Sequence, residues 1–152
     1  MKHLGDFKLR NFSLTLRNVS YIKVGMKKKL PKPTDSEVAL LRVLWQRGPR
    51  TVREVWEEAS RTQQIGYTTV LKILQIMLAK GLVERDETDR THVYRAALAQ
   101  EETQRQLIGH LLDRVFAGSA GKLVMQALSV KKASREELVQ IRKLLDEIEE
   151  EK

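Results

Sequence analysis

The sequence predicts a mostly α-helical chain with one small β-hairpin, divided into a compact N-terminal domain and a helical C-terminal one. Three observations carry this. Capping boxes of the Ser/Thr-x-x-Glu kind open three apolar runs at helical spacing. Glycines, alone or beside proline, close such runs. After Gly81 the pattern gives way to two short segments separated by a polar turn.

The elements follow in order. Residues 1–33 form an irregular N-terminal extension, expected to be disordered or absent from the native product. Within it Phe12, Leu14 and Leu16 alternate as in a short strand, and Met26 offers a second start. The lysine- and proline-rich run Met26 to Pro33 marks a boundary. Thr34-Asp35-Ser36-Glu37 opens a first helix carrying Val38, Leu41, Leu44 and Trp45, closed at Gly48-Pro49. Thr51-Val52-Arg53-Glu54 opens a second, with Val52, Val55, Trp56 and Ala59 on its apolar face. The chain turns near Gln63 to Gly66, and a third helix runs from Thr68 to Lys80. Strands are expected at Leu82 to Asp86 and at Arg90 to Ala96, around the turn Glu87-Thr88-Asp89. Three helices and a hairpin within residues 34–99 have the layout of a winged helix-turn-helix domain.

Residues 100–152 read as three helices: Glu101 to Phe116, Leu123 to Leu128, and one opened by Ser134-Arg135-Glu136-Glu137. Leu138, Ile141, Leu145 and Ile148 form a heptad seam on the last. Three short helices build a poor core alone, so this part is expected to dimerise.

Composition narrows the function. Hydrophobic (41%) and charged (32%) residues stand at levels ordinary for a soluble globular protein. No run reaches the ~20 apolar residues of a membrane-spanning helix, and no export signal is recognisable, so a cytoplasmic protein without membrane insertion is expected. The chain has no cysteine, which excludes disulfides, thiolate metal sites and thiol catalysis. His3, His92 and His110 show no ligand spacing, and there is no phosphate-cradling glycine loop. The acid pairs Glu57-Glu58, Glu101-Glu102 and Glu136-Glu137 diverge on helices rather than facing one another. No enzyme, cofactor, metal or small-molecule substrate is expected.

The formal net charge is +8, but it is local. Residues 1–33 hold nine basic residues and one acid, residues 34–99 ten and nine, and residues 100–152 nine and ten. Net charge therefore says little about the folded body, and local distribution must decide. On the third helix Val70, Leu71, Leu74, Met77 and Leu78 share a broad apolar face. Thr68, Lys72, Gln75 and Ala79 lie opposite, flanked by Thr69. No acid occurs between Ala59 and Val83. Lysine, glutamine and threonine suit base edges and phosphates, so this stripe is the candidate DNA-reading surface. The alternative is a solvated face on a winged-helix scaffold that recruits proteins instead. On the hairpin Arg90 is placed either to clamp a phosphate or to pair with a neighbouring acid. Trp56 and Tyr94 are read as core aromatics.

These residues together resemble the penicillinase and methicillin-resistance repressors of the BlaI/MecI type, from Leu30 to about Glu150. The resemblance rests on Ser36-Glu37 with Leu44-Trp45, Thr51-Val52-Arg53-Glu54-Val55, Tyr67-Thr68-Thr69-Val70, Lys80-Gly81-Leu82-Val83, Arg90 with Tyr94, Phe116-Ala117-Gly118-Ser119 and Leu123-Val124. It implies a homodimeric repressor bound to double-stranded, dyad-symmetric operator DNA. Tyr67, Thr68, Thr69, Lys72 and Gln75 would carry recognition, with Arg90 on the wing. Leu111, Val115, Leu123, Leu138, Ile141, Leu145 and Ile148 are the expected dimer contacts. The copper-responsive relatives use C-terminal cysteine pairs, and none exists here. The β-lactam-responsive relatives are cut by a membrane sensor protease at an Asn-Phe bond. By position that bond is Gln126-Ala127 here, whose residues depart from the pattern.

Overall fold

The computed structural model describes residues 30–152. The expected extension, its Phe12-Leu14-Leu16 alternation and the Met26 start lie outside the described residues, apart from the last few residues before Thr34. The described chain contains α1 (Asp35–Arg47), β1 (Arg50–Thr51), α2 (Val52–Ala59), α3 (Tyr67–Lys80), β2 (Val83–Asp86), β3 (Val93–Ala96), α4 (Gln100–Val115), α5 (Ala120–Val130) and α6 (Arg135–Glu150). It divides into two compact units, one ending at Thr103 and one spanning Gln104–Lys152.

In the first unit both capping boxes at helix starts translate into geometry. Thr34 and Thr51 each accept the amide three residues on, while Glu37 and Glu54 reach back to the cap amides. At the far end of α3, Gly81 takes φ +78° and ψ 14°, the left-handed conformation that glycine adopts without a Cβ penalty. Leu40, Leu41, Leu44, Val55, Val70, Leu74, Met77, Val83 and Tyr94 are buried together, so the helices and the sheet share one core. Each such side chain contributes about 1.5–3 kcal/mol by leaving water.

The sheet has three antiparallel strands in the order β1-β3-β2. The expected hairpin is present but shorter than expected on its second arm. Arg90, Thr91 and His92 belong to the turn, and β3 starts at Val93, the partner of the last β2 residue Asp86. A strand cannot extend its ladder beyond its partner. The third strand, β1, is not foreseen from sequence. It pairs Arg50 with Tyr94 and Thr51 with Val93.

One carboxylate links the first helix to the third. Glu37 Oε2 accepts the Thr34 amide at 2.8 Å, closing the capping box, and Oε1 accepts Lys80 Nζ at 2.7 Å. The Glu37 side chain is 4% exposed. Burial pushes its carboxyl up, but the Lys80 ammonium and the hydrogen bonds from Lys80 and Thr34 outweigh this, leaving it below the ordinary value of 4.5.

In the second unit α5 is capped by Ser119 and α6 by a Ser134–Glu137 box. No described side chain from Gln104 to Lys152 is buried.

The Glu37 arrangement predicts a pH-dependent stability term. Because the folded carboxyl titrates below its unfolded value, its contribution is complete above pH 4.5 and fades as pH falls through the lower folded value. Glu37→Gln is expected to cost roughly 1–2 kcal/mol at neutral pH by urea unfolding. The gap from the parent should narrow as pH falls below 4.5 and through the lower folded value. A gap that does not narrow in that direction would contradict the assignment.

Candidate nucleic-acid interface

The third helix divides cleanly between two environments. Val70, Leu74 and Met77 are fully buried, and Leu71 and Leu78 pack partly against the same core. Thr68, Thr69, Lys72, Gln75 and Ala79 are exposed, as the apolar periodicity requires. The side chains of Thr68, Lys72 and Gln75 make no hydrogen bond or ion pair with another described residue. Their donors and acceptors face water on a rigid support.

The start of α3 differs from those of α1, α2, α5 and α6, which a side chain caps. Its N-cap is Gly66, without a side-chain cap, and no acid lies in its first turn. The amides there keep their partial positive charge for an external acceptor. This helix end is held from behind by Trp56. The indole Nε1 donates to Ile65 O at 3.0 Å, and the ring meets Tyr67 edge-on, with centroids 6.0 Å apart and planes at 78°. Tyr67 itself is 45% exposed, so the contact fixes its ring while leaving part of it open.

Sequence reasoning places Trp56 in the core. It is half-buried against the core, and its bridge to Ile65 and Tyr67 makes it a positioning residue for the candidate surface. An apolar pattern cannot show which way an indole N–H points. Ile76, 43% exposed on α3, is a second residue that sequence reasoning passed over.

On the wing the three arginines separate. Arg95 pairs with Glu84, its cross-strand neighbour. Arg85 pairs with Glu87, and the neighbouring Tyr94 hydroxyl and Glu87 hold its guanidinium more firmly protonated. Arg90 is exposed in the turn and has no ion-pair partner among the described residues. The neighbouring acids thus do not hold it.

The remaining expected site residues lie in the second unit. Leu111, Val115, Leu138, Leu145 and Ile148 are exposed, and Leu123 and Ile141 half-exposed. Gln126 and Ala127 are exposed within the continuous helix α5. Among the described residues no group of His, Asp or Glu is arranged to hold a metal, and no helix is long and apolar enough to cross a membrane.

The profile of the penicillinase repressor family matches residues 33–147. The chain belongs to this family. It is 24% identical over 120 residues to the penicillinase repressor of Bacillus licheniformis, across 79% of this chain and 94% of that protein. It is 34% identical over 113 residues to the transcriptional regulator BlaI of Mycobacterium tuberculosis, across 62% of this chain and 82% of the relative. Among solved structures, the Bacillus licheniformis BlaI monomer in complex with the blaP half-operator aligns at 24% identity and a TM-score of 0.44, covering 49% of this chain and 90% of that one.

Trp56→Phe keeps an aromatic side chain but deletes the donor to Ile65 and the second ring of the indole. It is expected to destabilise the protein by at least about 1 kcal/mol in urea unfolding, the net worth of one hydrogen bond plus the packing lost with the smaller ring. An unchanged midpoint would mean that the bridge contributes nothing.

Proposed function

We propose that this chain is a DNA-binding transcriptional repressor that binds a dyad-symmetric operator as a homodimer and blocks transcription from it. Family membership supports repression through DNA. The observation that carries the reading on this chain is the outer face of α3, where Thr68, Lys72 and Gln75 are exposed and unengaged. In the major groove Lys72 would reach guanine or a phosphate, Gln75 would pair with adenine, and Thr68 and Thr69 would serve either. Tyr67 and the uncapped amides would sit against the backbone, and Arg90 would take a phosphate beside the groove.

Dimerisation is proposed through α4, α5 and α6. Ile108, Leu111, Val115, Val124, Met125, Leu144, Leu145 and Ile148 are all exposed, a burden that a monomeric unit rarely carries. A second copy is the partner that a dyad-symmetric site requires. The same reading places the protein in the cytoplasm with its DNA, working without cofactor or catalysis. Release by a membrane sensor protease is the finer part of the proposal. The Gln126–Ala127 bond lies inside α5, so a protease needing an extended substrate would first have to open that helix.

Binding to the DNA upstream of the protein's own gene, followed by fluorescence anisotropy against an unrelated duplex, tests the reading. Lys72→Ala and Gln75→Ala should each weaken specific binding by roughly 1–3 kcal/mol and leave the unfolding midpoint unchanged. Arg90→Ala should weaken all sequences alike and lower the salt slope by about 1. Parental affinity in all three variants would move the winged-helix scaffold ahead.

For the dimer, the melting temperature should rise with protein concentration. Leu145→Asp should sediment as a monomer that binds a single half-site. A Leu145→Asp protein that stays dimeric would place the interface elsewhere.

A further inference from the structure

Ile76 stands out on the candidate surface. It is 43% exposed on a helix whose buried side is already completed by Val70, Leu74 and Met77. On the helical wheel it lies about 40° from Lys72 and about 20° from Thr69, within the arc of the polar stripe rather than at the core edge. It shares a helical turn with Gln75 and follows Lys72 by about 6 Å along the axis. A branched aliphatic side chain on that arc leaves over two-fifths of its surface in water, where the fold of this unit does not use it. Ile73, three residues earlier, is drawn inward and packs against the core, so the exposure of Ile76 is particular to its position.

The major groove offers one apolar group to such a side chain, the C5-methyl of thymine. Gln75, on the same turn but about 100° round the helix, has the donor and acceptor that match adenine. We propose that Ile76 is a specificity-determining residue that packs on a thymine methyl in the operator half-site. This inference rests on the DNA-binding reading given above and goes beyond it by naming a residue and the single chemical group it reads.

The probe is the duplex that the full chain selects from a randomised library, with each thymine of one half-site replaced in turn by deoxyuridine. That replacement removes the methyl and leaves every hydrogen-bonding edge intact. One substitution is expected to weaken the parent about fourfold, the worth of one methyl group removed from water. Ile76→Ala should bind the unmodified duplex more weakly than the parent does and be indifferent to the same deoxyuridine. Its unfolding midpoint should match the parent's, since Ile76 is not in the core. A parent indifferent to every deoxyuridine, or an Ile76→Ala protein with the parent's sensitivity, overturns the assignment while the operator reading stands. Failure to select any duplex overturns both.

Discussion

The fold of the first unit is organised around one constraint on α3: one side must be completely buried while the other stays open. Val70, Leu74 and Met77 satisfy the first requirement by joining the core built by α1, α2 and the sheet. Burial of three large side chains on one helix stripe fixes the rotation of the helix about its axis, since turning it by one position would expose an apolar residue and bury a polar one. The ends are then fixed separately. Trp56 holds the N-terminal end through Ile65 and Tyr67, and Glu37 holds the C-terminal end through Lys80. Rotation, entry point and exit point are thus set by three different kinds of interaction, and none of them uses Thr68, Lys72 or Gln75. Substitutions on the outer face can change what is read without disturbing the support.

The same economy governs charge. Nearly balanced charge in residues 34–99 would leave little attraction for a polyanion if it were evenly mixed. Instead many of the acids are occupied in the fold. Glu37 and Glu54 close capping boxes, Glu58 pairs with Arg47 and Arg61, and Glu84 and Glu87 hold Arg95 and Arg85. The segment from Ala59 to Val83 contains none. Lys72 and Arg90 are the cations of α3 and the wing turn that these acids leave uncompensated. Surface ion pairs contribute little to stability. Here their consequence is to decide which cations remain open to a phosphate.

Much of this was legible in the sequence because the signals are local. Each capping box joins residues three apart, and the two faces of α3 follow from periodicity within fourteen residues. What was illegible depends on partners distant in the chain. The two-residue strand β1 exists only because β3 lies alongside it, more than forty residues on. Thr91 and His92 look like strand, yet the ladder begins at Val93 because β2 ends at Asp86. The three wing arginines are equivalent in sequence, and only the register that puts Arg95 opposite Glu84 and Arg85 opposite Tyr94 tells them apart from Arg90. The Glu37–Lys80 pair spans 43 positions and leaves no local trace beyond the capping box that hides it.

The division into two units has a thermodynamic consequence for the proposed repressor. The proposed reading surface is confined to α3 and the wing, whereas the second unit carries exposed apolar side chains and no buried ones. If that unit joins two copies, binding of the second half-site becomes intramolecular, and the affinity for the whole operator exceeds that for a half-site by the effective concentration the linkage imposes. Loss of the association then returns each copy to half-site affinity with its reading face intact. A switch placed in α4, α5 or α6 need not touch any residue that meets DNA. Release can be strong even when the event is local, because it removes the coupling between sites rather than any contact within one. A second unit whose apolar side chains are covered only when two copies join would be the more easily dismantled, so the arrangement proposed for dimerisation would also serve release.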